Sequence, residues 1–477
     1  MAHPVERIIL GGKRNDAPVG MSAELRDPWD LRPVGRMEIA SRDHAETAVR
    51  RAAEGFTATR ALPSYRRAEI LQFIAGAIRT RKEIFAGLIT EEVGKPIQYS
   101  RVEVDRAVLT FETAAAEAVR IGGETIPLDV AASSAGRYGI TRRFPVGIVL
   151  CVAPFNYPLN LVAHKVAPAI AAGNAFILKP APQAPRTSLL LGDIIAESGF
   201  PRDAFSVLLT DNETAELLVR DARIGMLSFT GSAKVGWHLK SVAGKKKVLL
   251  ELGGNAGAIV DETADIDDAV RRTVIGSFGS AGQVCIKVQR IYVHERVFPQ
   301  FLKRFVDAAK SLATGDPRKE ETVVGPLIDD SAAERVERWI RDAVAAGAQL
   351  QCGGRRAGRV VEPTVLTDVA LACDVYTEEV FGPVTTIHPF RSFDDAIAGI
   401  NDTRYGLQAG VFTNDYRHVM DAFDRLDVGA VVMNDTPTYR VDPMPYGGIK
   451  DSGFGREGLR FAIEAMTEPK LLVMNPS

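Results

Sequence analysis

The sequence is poor in cysteine, and its cysteines lie far apart. Only four occur among 477 residues, as Cys151, Cys285, Cys352 and Cys373, and no two of them form a CxxC pair. A disulfide framework or a cysteine zinc site needs cysteines at closer, paired spacing, so this pattern argues against both. We therefore expect a reducing, cytoplasmic location and no metal site.

The sequence also lacks long apolar runs and an excess of charge of one sign. No run approaches the length of a membrane span, and the first ten residues contain no apolar signal-peptide core. The formal net charge is −2, so nothing electrostatic points to nucleic acid or an anionic membrane as a partner. Hydrophobic residues make up 46% and charged residues 25%, which is ordinary for a soluble globular protein.

The order of apolar segments predicts the fold class. The chain is too long for one hydrophobic core, so we expect two or more domains. The first third carries apolar residues at three- and four-residue spacing, which predicts helices. From Val146, short apolar runs such as "VGIVLCVAP" alternate with helical segments, and a second such run begins near Gly253. This alternation predicts an α/β fold with parallel sheets that are covered on both faces.

Four residues of chemical interest follow predicted strands. The strands that precede residue 253 end at or near Asn156, Lys179, Gly231 and Glu251. Ligands of parallel sheets bind beyond the carboxyl ends of the strands, which meet at one edge. We therefore expect these four residues to lie on one rim.

The stretch "SAGQVCIKV" surrounds Cys285 with small residues that permit close approach. A free thiol has a pKa of about 8.5, and alone this residue would be interpreted as a small buried hydrophobe. Two strand ends offer the help that a nucleophile needs. Glu251 could activate a water as general base, or be a surface acid at a loop edge. Asn156 could donate to an oxyanion, or be a turn asparagine.

Seven motifs together resemble those of the aldehyde dehydrogenase superfamily. They are "APFNYPLN", "LKPAPQAP", "FTGSAKVG", "LELGGN", "SAGQVCI", "EEVFGPV" and "PYGGIKDSGFGREG", and they follow the family's order from about Pro145 to near the chain's end. The local sequence is most similar to the branch of lactaldehyde and succinate-semialdehyde dehydrogenases. The resemblance implies a Rossmann-like parallel-sheet cofactor domain, an α/β catalytic domain and a small β oligomerisation element.

The resemblance also implies boundaries for these parts and an oligomer. The cofactor domain would comprise residues 1–120, 142–252 and 447–466, the catalytic domain 253–446, and the oligomerisation element 121–141 and 467–477. The family pattern implies a homodimer or a homotetramer. An exposed edge of the predicted terminal strand "EPKLLVMNPS" would need a partner, which agrees with that expectation.

A catalytic sequence follows from the resemblance. Cys285 would attack an aldehyde to give a thiohemiacetal, with Asn156 and the backbone N–H of Cys285 holding the oxyanion. Hydride would leave to the nicotinamide, and Glu251 would activate the water that hydrolyses the resulting thioester. The enzyme would be an oxidoreductase that forms a carboxylic acid. One rival is a CoA-acylating aldehyde dehydrogenase, in which this glutamate is typically absent. Another is a non-catalytic binding protein on the same scaffold.

By the same resemblance the cofactor is NAD or NADP. The implied contacts are Lys179 at the adenosine ribose, Gly231, Ser232 and Gly236 beside the pyrophosphate, Glu379 at the nicotinamide ribose and Phe381 at its ring. Without the resemblance, the lysine could be a surface residue, the acid a helix cap and the phenylalanine a core residue. One departure is Pro182, which stands where many NAD-preferring members carry a ribose-binding glutamate. Without that glutamate, no carboxylate repels the 2′-phosphate of NADP, so the sequence is compatible with both NAD and NADP.

Two arginines are candidate contacts for an acid-headed aldehyde. Arg106 lies on a predicted helix, and Arg440 lies in the loop before the last motif. Either could instead form a structural ion pair, Arg106 with Glu103 or Asp105, and Arg440 with Asp442. The residue before the nucleophile is Val284, where some phosphate-handling members have arginine. We expect a short aldehyde with an anionic or hydroxylated tail, such as succinate semialdehyde or lactaldehyde.

Overall fold

The computed structural model describes residues 4–475, so the outermost residues of the predicted ranges 1–120 and 467–477 lie outside the described residues. The helices are α1 (Arg42–Ala61), α2 (Ser64–Thr80), α3 (Lys82–Val93), α4 (Ile97–Ala118), α5 (Asn160–Ala172), α6 (Pro185–Glu197), α7 (Asn212–Arg220), α8 (Ala233–Val242), α9 (Ile266–Phe278), α10 (Phe298–Lys310), α11 (Asp330–Ala345), α12 (Asp374–Thr377), α13 (Phe393–Asn401), α14 (Tyr416–Arg425) and α15 (Leu459–Ala465). None of the described helices is both long and apolar enough to cross a membrane.

The strands are shorter and more numerous than the helices. They are β1 (Val5–Glu6), β2 (Ile9–Leu10), β3 (Lys13–Arg14), β4 (Met21–Arg26), β5 (Pro33–Ile39), β6 (Thr125–Pro127), β7 (Tyr138–Pro145), β8 (Ile148–Val152), β9 (Ala175–Lys179), β10 (Phe205–Val207), β11 (Ile224–Thr230), β12 (Lys247–Glu251), β13 (Gly257–Val260), β14 (Arg290–His294), β15 (Gln349–Cys352), β16 (Arg356–Ala357), β17 (Val360–Val361), β18 (Thr364–Thr367), β19 (Val384–Phe390), β20 (Tyr405–Gly406), β21 (Gln408–Phe412), β22 (Ala430–Met433), β23 (Ile449–Lys450), β24 (Gly453–Phe454) and β25 (Thr467–Met474).

The first large sheet has the strand order β24-β12-β11-β8-β9-β10-β2-β3. Its five central strands, from β12 to β10, run parallel to one another. Every residue of β8 and β9 is buried, because helices cover both faces of the sheet. Helix α5 joins these two strands and ends at Gly173, whose φ of 82° is the left-handed conformation that glycine adopts readily. The predicted α/β fold with a parallel sheet is confirmed.

A second large sheet has the order β15-β18-β19-β14-β13-β21-β22 and is parallel except at its β15 edge. It has its own apolar core, formed with α9, α10 and α11. A third, small sheet pairs β25 antiparallel with β7, which in turn pairs with β6. Leu471, Leu472 and Val473 of β25 are exposed. The two large sheets with their helices agree with the α/β fold that the family resemblance implied.

The prediction that the first third is helical is wrong for the residues before α1. Strands β1 to β5 occupy that region, and β4 and β5 form an antiparallel hairpin. Their alternation of buried and exposed residues is too short and irregular to be recognised in the sequence. After α1, the predicted helical region is interrupted at Arg81, which separates α2 from α3 and whose ψ of 22° lies outside the helical region.

Gly55 is required where α1 packs against the loop that precedes β10. A Cβ at this position would lie 2.4 Å from the backbone nitrogen of Ala204, and backbone cannot rotate away as a side chain can. We expect Gly55→Ala to lower the midpoint of thermal unfolding, because overpacking of this kind costs about 1–3 kcal/mol. Differential scanning fluorimetry measures the shift.

The matched control is Gly87→Ala in α3. A Cβ there meets no atom of the described residues within 4 Å, and Gly87 is exposed. Alanine stabilises an exposed helix interior by about 1 kcal/mol relative to glycine, so this variant should unfold at the same or a higher temperature. A decrease of similar size in both variants would contradict the packing described for Gly55.

Candidate active site

The carboxyl ends of the first sheet form one rim. Val152 at the end of β8 is in register with Lys179 of β9, and Thr230 of β11 is in register with Glu251 of β12. Asn156 follows β8 by a few residues, and Gly231 directly follows β11. The structure therefore brings the four strand-end residues to the same edge, as the sequence analysis expects.

Cys285 lies at this rim, in a loop that is held by tight backbone contacts. Ser280 and Ala281, just before it, both have left-handed φ values, of 53° and 56°. Such a conformation is unusual for residues other than glycine and persists only where the surrounding structure enforces it. Gly254 lies against the same loop, and a Cβ there would be 2.3 Å from the carbonyl oxygen of Cys285. The loop after β12 and the cysteine loop thus fix each other.

The Cys285 thiol is half-buried and has one polar neighbour that the sequence analysis missed. Its Sγ lies 3.1 Å from the hydroxyl oxygen of Tyr446. Burial raises the pKa of Cys285 to about 11, although the hydrogen bond to Tyr446 opposes the increase. In this state the sulfur is a thiol at neutral pH. Tyr446 belongs to the motif "PYGGIK", but nothing in its spacing indicates contact with a residue 161 positions away.

Glu251 is a buried carboxyl group without a partner. The residue is 3% exposed, and neither of its carboxylate oxygens has a hydrogen-bond partner among the described residues. Burial raises its pKa well above the ordinary value, and the nearby Glu457 raises it further. The prediction that this residue is more than a surface acid at a loop edge fits that environment, because an unpaired buried carboxyl is costly.

Glu457 occupies the opposite electrostatic environment. Its oxygens accept hydrogen bonds from Lys165 and from Arg440, each at 2.9 Å, and all three side chains are buried. Burial alone would raise the pKa of Glu457, but Lys165 and Arg440 lower it to about 2. Sequence reasoning missed this cluster, although a lysine within the otherwise apolar helix "LVAHKVAPAIAAG" is a signal that could have found it.

Asn156 is held in place by the cysteine loop. Its amide nitrogen donates to the carbonyl oxygen of Gln283 at 2.9 Å, and the side chain is 6% exposed. An asparagine amide has two N–H donors, so the second remains for another acceptor. Glu103 of α4 accepts hydrogen bonds from the backbone nitrogens of Leu159 and Asn160, at 2.9 and 3.1 Å. This carboxylate fixes the loop that carries Asn156.

A cavity of about 160 Å³ opens at Cys285, and both candidate arginines line it. Its walls also include Tyr99, Tyr157 and Tyr446. Hereafter we refer to it as the catalytic cavity. It is small, and its polar lining residues besides the two arginines and the tyrosines are Asn160, Ser280 and Thr438, so a short substrate with polar groups fits it better than a long one.

The alternative ion pairs considered for the two arginines are not formed. Glu103 pairs with Lys95, and Asp105 pairs with Lys82. Arg106 instead keeps its Nη2 buried and without a hydrogen-bond partner among the described residues. An unpartnered guanidinium nitrogen beside a cavity is suited to receive an anionic group.

Arg440 does form an ion pair, but with a different partner from the one considered. Asp442 lies 3.2 Å from the ring nitrogen of His164, whereas Arg440 donates to Glu457 and lies 3.7 Å over the ring of Tyr446. Burial opposes its positive charge, but Glu457 and other neighbours raise its pKa overall. Arg440 is therefore a permanent cation with both a structural contact and a face on the cavity.

The residues predicted to hold the pyrophosphate form a tight turn between β11 and α8. The nitrogen of Gly231 donates to the carbonyl oxygen of Glu251 at 3.0 Å, which closes the turn onto β12. Ser232 is the N-cap residue of α8 but makes no capping hydrogen bond with its side chain. At Gly236 a Cβ would lie 2.3 Å from Leu252, so glycine lets the helix approach the strand. A helix N-terminus whose N–H groups are uncapped suits a phosphate group.

The other predicted cofactor residues flank this turn. Lys179 is 9% exposed, and burial lowers its pKa, with Asp211 acting in the opposite direction. Pro182 is exposed. Glu379 accepts a hydrogen bond from the nitrogen of Gly254 at 2.9 Å, and burial raises its pKa to about 7. It is a loop-bound acid, so the helix-cap alternative does not apply.

Phe381 is half-buried and has a left-handed φ of 45°. Its ring meets that of Phe155 edge to face, with centroids 5.9 Å apart. It is thus a partly accessible aromatic at the rim and not a core residue. Within residues 4–475, no three or more His, Cys, Asp or Glu side chains are grouped so that they could hold a metal ion.

The sequence and the structure both match known proteins along almost the whole chain. A profile described as "Aldehyde dehydrogenase family" matches residues 17–472. The 3-sulfolactaldehyde dehydrogenase of Priestia aryabhattai is 42% identical over 453 residues, which are 95% of this chain and 94% of that protein.

Two solved structures illustrate the structural match. Aldehyde dehydrogenase 21 from Physcomitrella patens, in complex with the reaction product succinate, has a TM-score of 0.97 and 42% identity, and the match covers 99% of both chains. A glyceraldehyde-3-phosphate dehydrogenase from Methanocaldococcus jannaschii, complexed with NADP, has a TM-score of 0.91 and 38% identity. That match covers 94% of this chain and 98% of the other.

The high pKa of Cys285 predicts slow alkylation of the protein without cofactor. With a pKa of about 11, the thiolate fraction should increase about tenfold for each unit between pH 8 and pH 10. The rate of modification by iodoacetamide, followed by mass spectrometry of the peptide that contains Cys285, should increase in the same proportion. The Cys285→Ser variant separates this reaction from labelling of the half-buried Cys373. A plateau below pH 9 would show that the thiolate is stabilised in the resting protein.

Proposed function

The chain belongs to the aldehyde dehydrogenase family, and we propose that it uses NAD or NADP to oxidise a short aldehyde with an anionic or hydroxylated tail to the carboxylic acid. The observation that carries the proposal is the catalytic cavity, which places the Cys285 thiol in one small space with the guanidinium groups of Arg106 and Arg440. A nucleophile and two cations together suit an aldehyde at one end of a substrate and an anion at the other.

The three relatives support an anionic tail. The names of their substrate or product carry a sulfonate, a carboxylate or a phosphate group at the end of a short carbon chain. A single guanidinium hydrogen bond to such a group contributes about 1.5–3 kcal/mol. The sequence favours succinate semialdehyde and lactaldehyde, and the two cations of the cavity favour the first of these, because its tail ends in a carboxylate.

The residues of the rim fit a dinucleotide. The uncapped N-terminus of α8 at Ser232 would hold the pyrophosphate, Lys179 the adenosine ribose, and Glu379 the nicotinamide ribose. The bound cofactor would accept the hydride that leaves the substrate carbon. Because no carboxylate stands at Pro182, Lys179 can meet either a ribose hydroxyl or a 2′-phosphate, and both NAD and NADP are compatible with this chain.

Cys285 begins the proposed reaction by forming a bond from its sulfur to the aldehyde carbon. The thiol proton first passes to solvent at the half-buried sulfur, and the hydroxyl of Tyr446 then donates a hydrogen bond to the thiolate at 3.1 Å. The carbonyl oxygen becomes the oxyanion of the thiohemiacetal. Asn156, already fixed by its bond to Gln283, donates its second N–H to that oxygen.

Glu251 completes the proposed reaction. After oxidation the acyl group is a thioester on Cys285, and hydrolysis needs a water from which a base removes a proton. Glu251 is unpartnered and has a raised pKa, which brings it closer to the value that suits a general base near neutral pH. Glu251 takes a proton from the water as its oxygen adds to the acyl carbon, the C–S bond breaks, and that proton passes to the sulfur.

We also propose that the protein is a homodimer or a homotetramer and that it divides at the boundaries given in the sequence analysis. Three exposed apolar residues on β25, Leu471, Leu472 and Val473, support the oligomer, because an apolar strand in solvent favours pairing with another chain. Static light scattering of the purified protein measures its mass directly.

Variants of the two reacting residues separate acylation from hydrolysis. Cys285→Ala should abolish oxidation while cofactor binding remains. Glu251→Gln should retain a burst of reduced cofactor, equal to about one per site, and lose steady turnover.

In the wild type, steady turnover should rise with pH through the raised pKa of Glu251, since only the ionised form acts as a base. Stopped-flow absorbance at 340 nm follows both phases.

Three results would contradict these roles. The first is steady turnover of Glu251→Gln at the wild-type rate. The second is a product that appears as a CoA thioester and depends on added CoA, which would favour the acylating alternative. The third is that no aldehyde is oxidised although the cofactor binds, which would favour a non-catalytic protein.

The cationic wall of the catalytic cavity is tested with paired substrates. Arg106→Met should lower kcat/KM for succinate semialdehyde by about tenfold to a hundredfold, because one charged hydrogen bond is lost. The same variant should oxidise propanal as the wild type does, which controls for a damaged fold. Arg440→Met should affect both substrates, since it also removes an ion-pair partner of Glu457. These effects are measured as initial rates across a panel of acid-headed and neutral aldehydes. If Arg106→Met lowers kcat/KM equally for succinate semialdehyde and for propanal, the role of Arg106 is structural.

A further inference from the structure

A second cavity lies beyond the ends of the first sheet's strands that are opposite to Cys285. It measures about 420 Å³ and is lined by the start of α2, the residues that follow α4 and the end of β7. Pro145 and Ala172 line it, and they shortly precede β8 and β9. The cavity is therefore at the amino ends of the strands, whereas the catalytic rim is at their carboxyl ends.

The charges around this second cavity are of one sign. Its lining includes Arg60, Arg67, Arg142 and Arg143, and no aspartate or glutamate. Within the described part of the chain, none of these arginines forms an ion pair with a carboxylate. We name it the cationic cavity. Four uncompensated cations around one space repel each other and favour an anion between them.

Arg67 is the most constrained of the four. Its Nε is buried and has no hydrogen-bond partner among the described residues. Burial lowers its pKa, and no carboxylate counters that effect. A Cβ on Gly173, at the C-terminal end of α5, would lie 3.0 Å from Nη1, so the dipole of that helix offsets part of the charge. Although the helix end lies close to Nη1, the Nε of Arg67 still has no acceptor among the described residues.

Arg143 is held by neutral groups. Its Nη1 donates to the backbone oxygen of Glu464 at 3.3 Å and to the hydroxyl of Thr467 at 3.1 Å. These bonds fix the guanidinium without cancelling its charge. Arg142 is exposed, and its guanidinium lies 5.7 Å from the ring centre of Phe144, another lining residue. Both arginines can therefore direct free N–H groups towards a ligand.

A neighbouring cavity provides an internal comparison. It measures about 550 Å³ and shares Arg143, but its lining also contains Arg120 and Arg460 together with three glutamates. The charges there are balanced, and Arg120 pairs with Glu117 at 3.4 Å. The excess of positive charge is thus specific to the cationic cavity and is not a general property of this region.

From this geometry we infer that the cationic cavity binds a small multivalent anion that bears phosphate groups. Guanidinium groups present two parallel N–H donors that match phosphate oxygens, and several of them favour more than one anionic group. The volume falls within the range of small-ligand sites in proteins. Because the cavity is remote from Cys285, the site is independent of the proposed reaction.

Isothermal titration calorimetry with inorganic pyrophosphate tests this site. The titration is done at constant ionic strength and with saturating NADP or NAD, so that the cofactor's own phosphate positions are filled. We expect one pyrophosphate per chain and a higher melting temperature than in chloride of equal ionic strength. Arg67→Met and the exposed Arg142→Gln should each weaken binding by about tenfold or more. Arg120→Gln in the neighbouring cavity is the matched control and should leave the affinity unchanged.

Three outcomes overturn the inference. The first is that pyrophosphate produces no more heat than matched chloride. The second is equal affinity in the wild type and in Arg142→Gln, which keeps the test valid if Arg67→Met fails to fold. The third is that the wild type binds no pyrophosphate and that Arg142→Gln has a smaller molecular mass than the wild type in light scattering. That result would show that acidic residues of a second copy cover the cavity.

Discussion

The buried ion pairs of Glu457 are the interaction on which the catalytic rim depends. Glu457 lies near the C-terminus, Lys165 lies on α5, and Arg440 lies in the loop that lines the catalytic cavity. Lys165 also donates to the hydroxyl of Thr230 at the end of β11. One carboxylate thus connects a helix, a strand end and a loop that are distant in the sequence. Removal of one partner from a buried pair costs about 3–5 kcal/mol, because the other charge stays buried.

The same cluster separates two glutamates into different protonation states. Glu457 has two cations at hydrogen-bond distance, and its pKa falls to about 2. Glu251 has no hydrogen-bond partner among residues 4–475, and the anionic Glu457 helps to raise its pKa. Two carboxyl groups at one rim therefore hold their protons very differently, which is the arrangement that acid–base chemistry needs.

The sequence was sufficient for the parallel sheet but not for the contacts between its ends. Apolar runs predicted β8, β9 and β11 because buried strands need apolar residues on both faces. The strands before α1 escaped detection because β1, β2 and β3 have only two residues each, and because β4 and β5 do not alternate regularly between buried and exposed residues. The partner of Arg440 was wrong in the sequence analysis, since the choice between Asp442 and Glu457 depends on where His164 lies in space. Tyr446 was missed for the same reason: its contact with Cys285 joins two distant loops.

The neutral state of Cys285 also affects how fast this residue is oxidised. Peroxide oxidises a thiolate to sulfenic acid far faster than it oxidises a thiol. A cysteine with a pKa of about 11 is almost wholly protonated at neutral pH, so the resting nucleophile is shielded from oxidative damage. Cys151 is fully buried, and burial raises its pKa to about 12, which makes it equally inert. Burial alone therefore keeps Cys285 and Cys151 in the slowly oxidised thiol form at neutral pH.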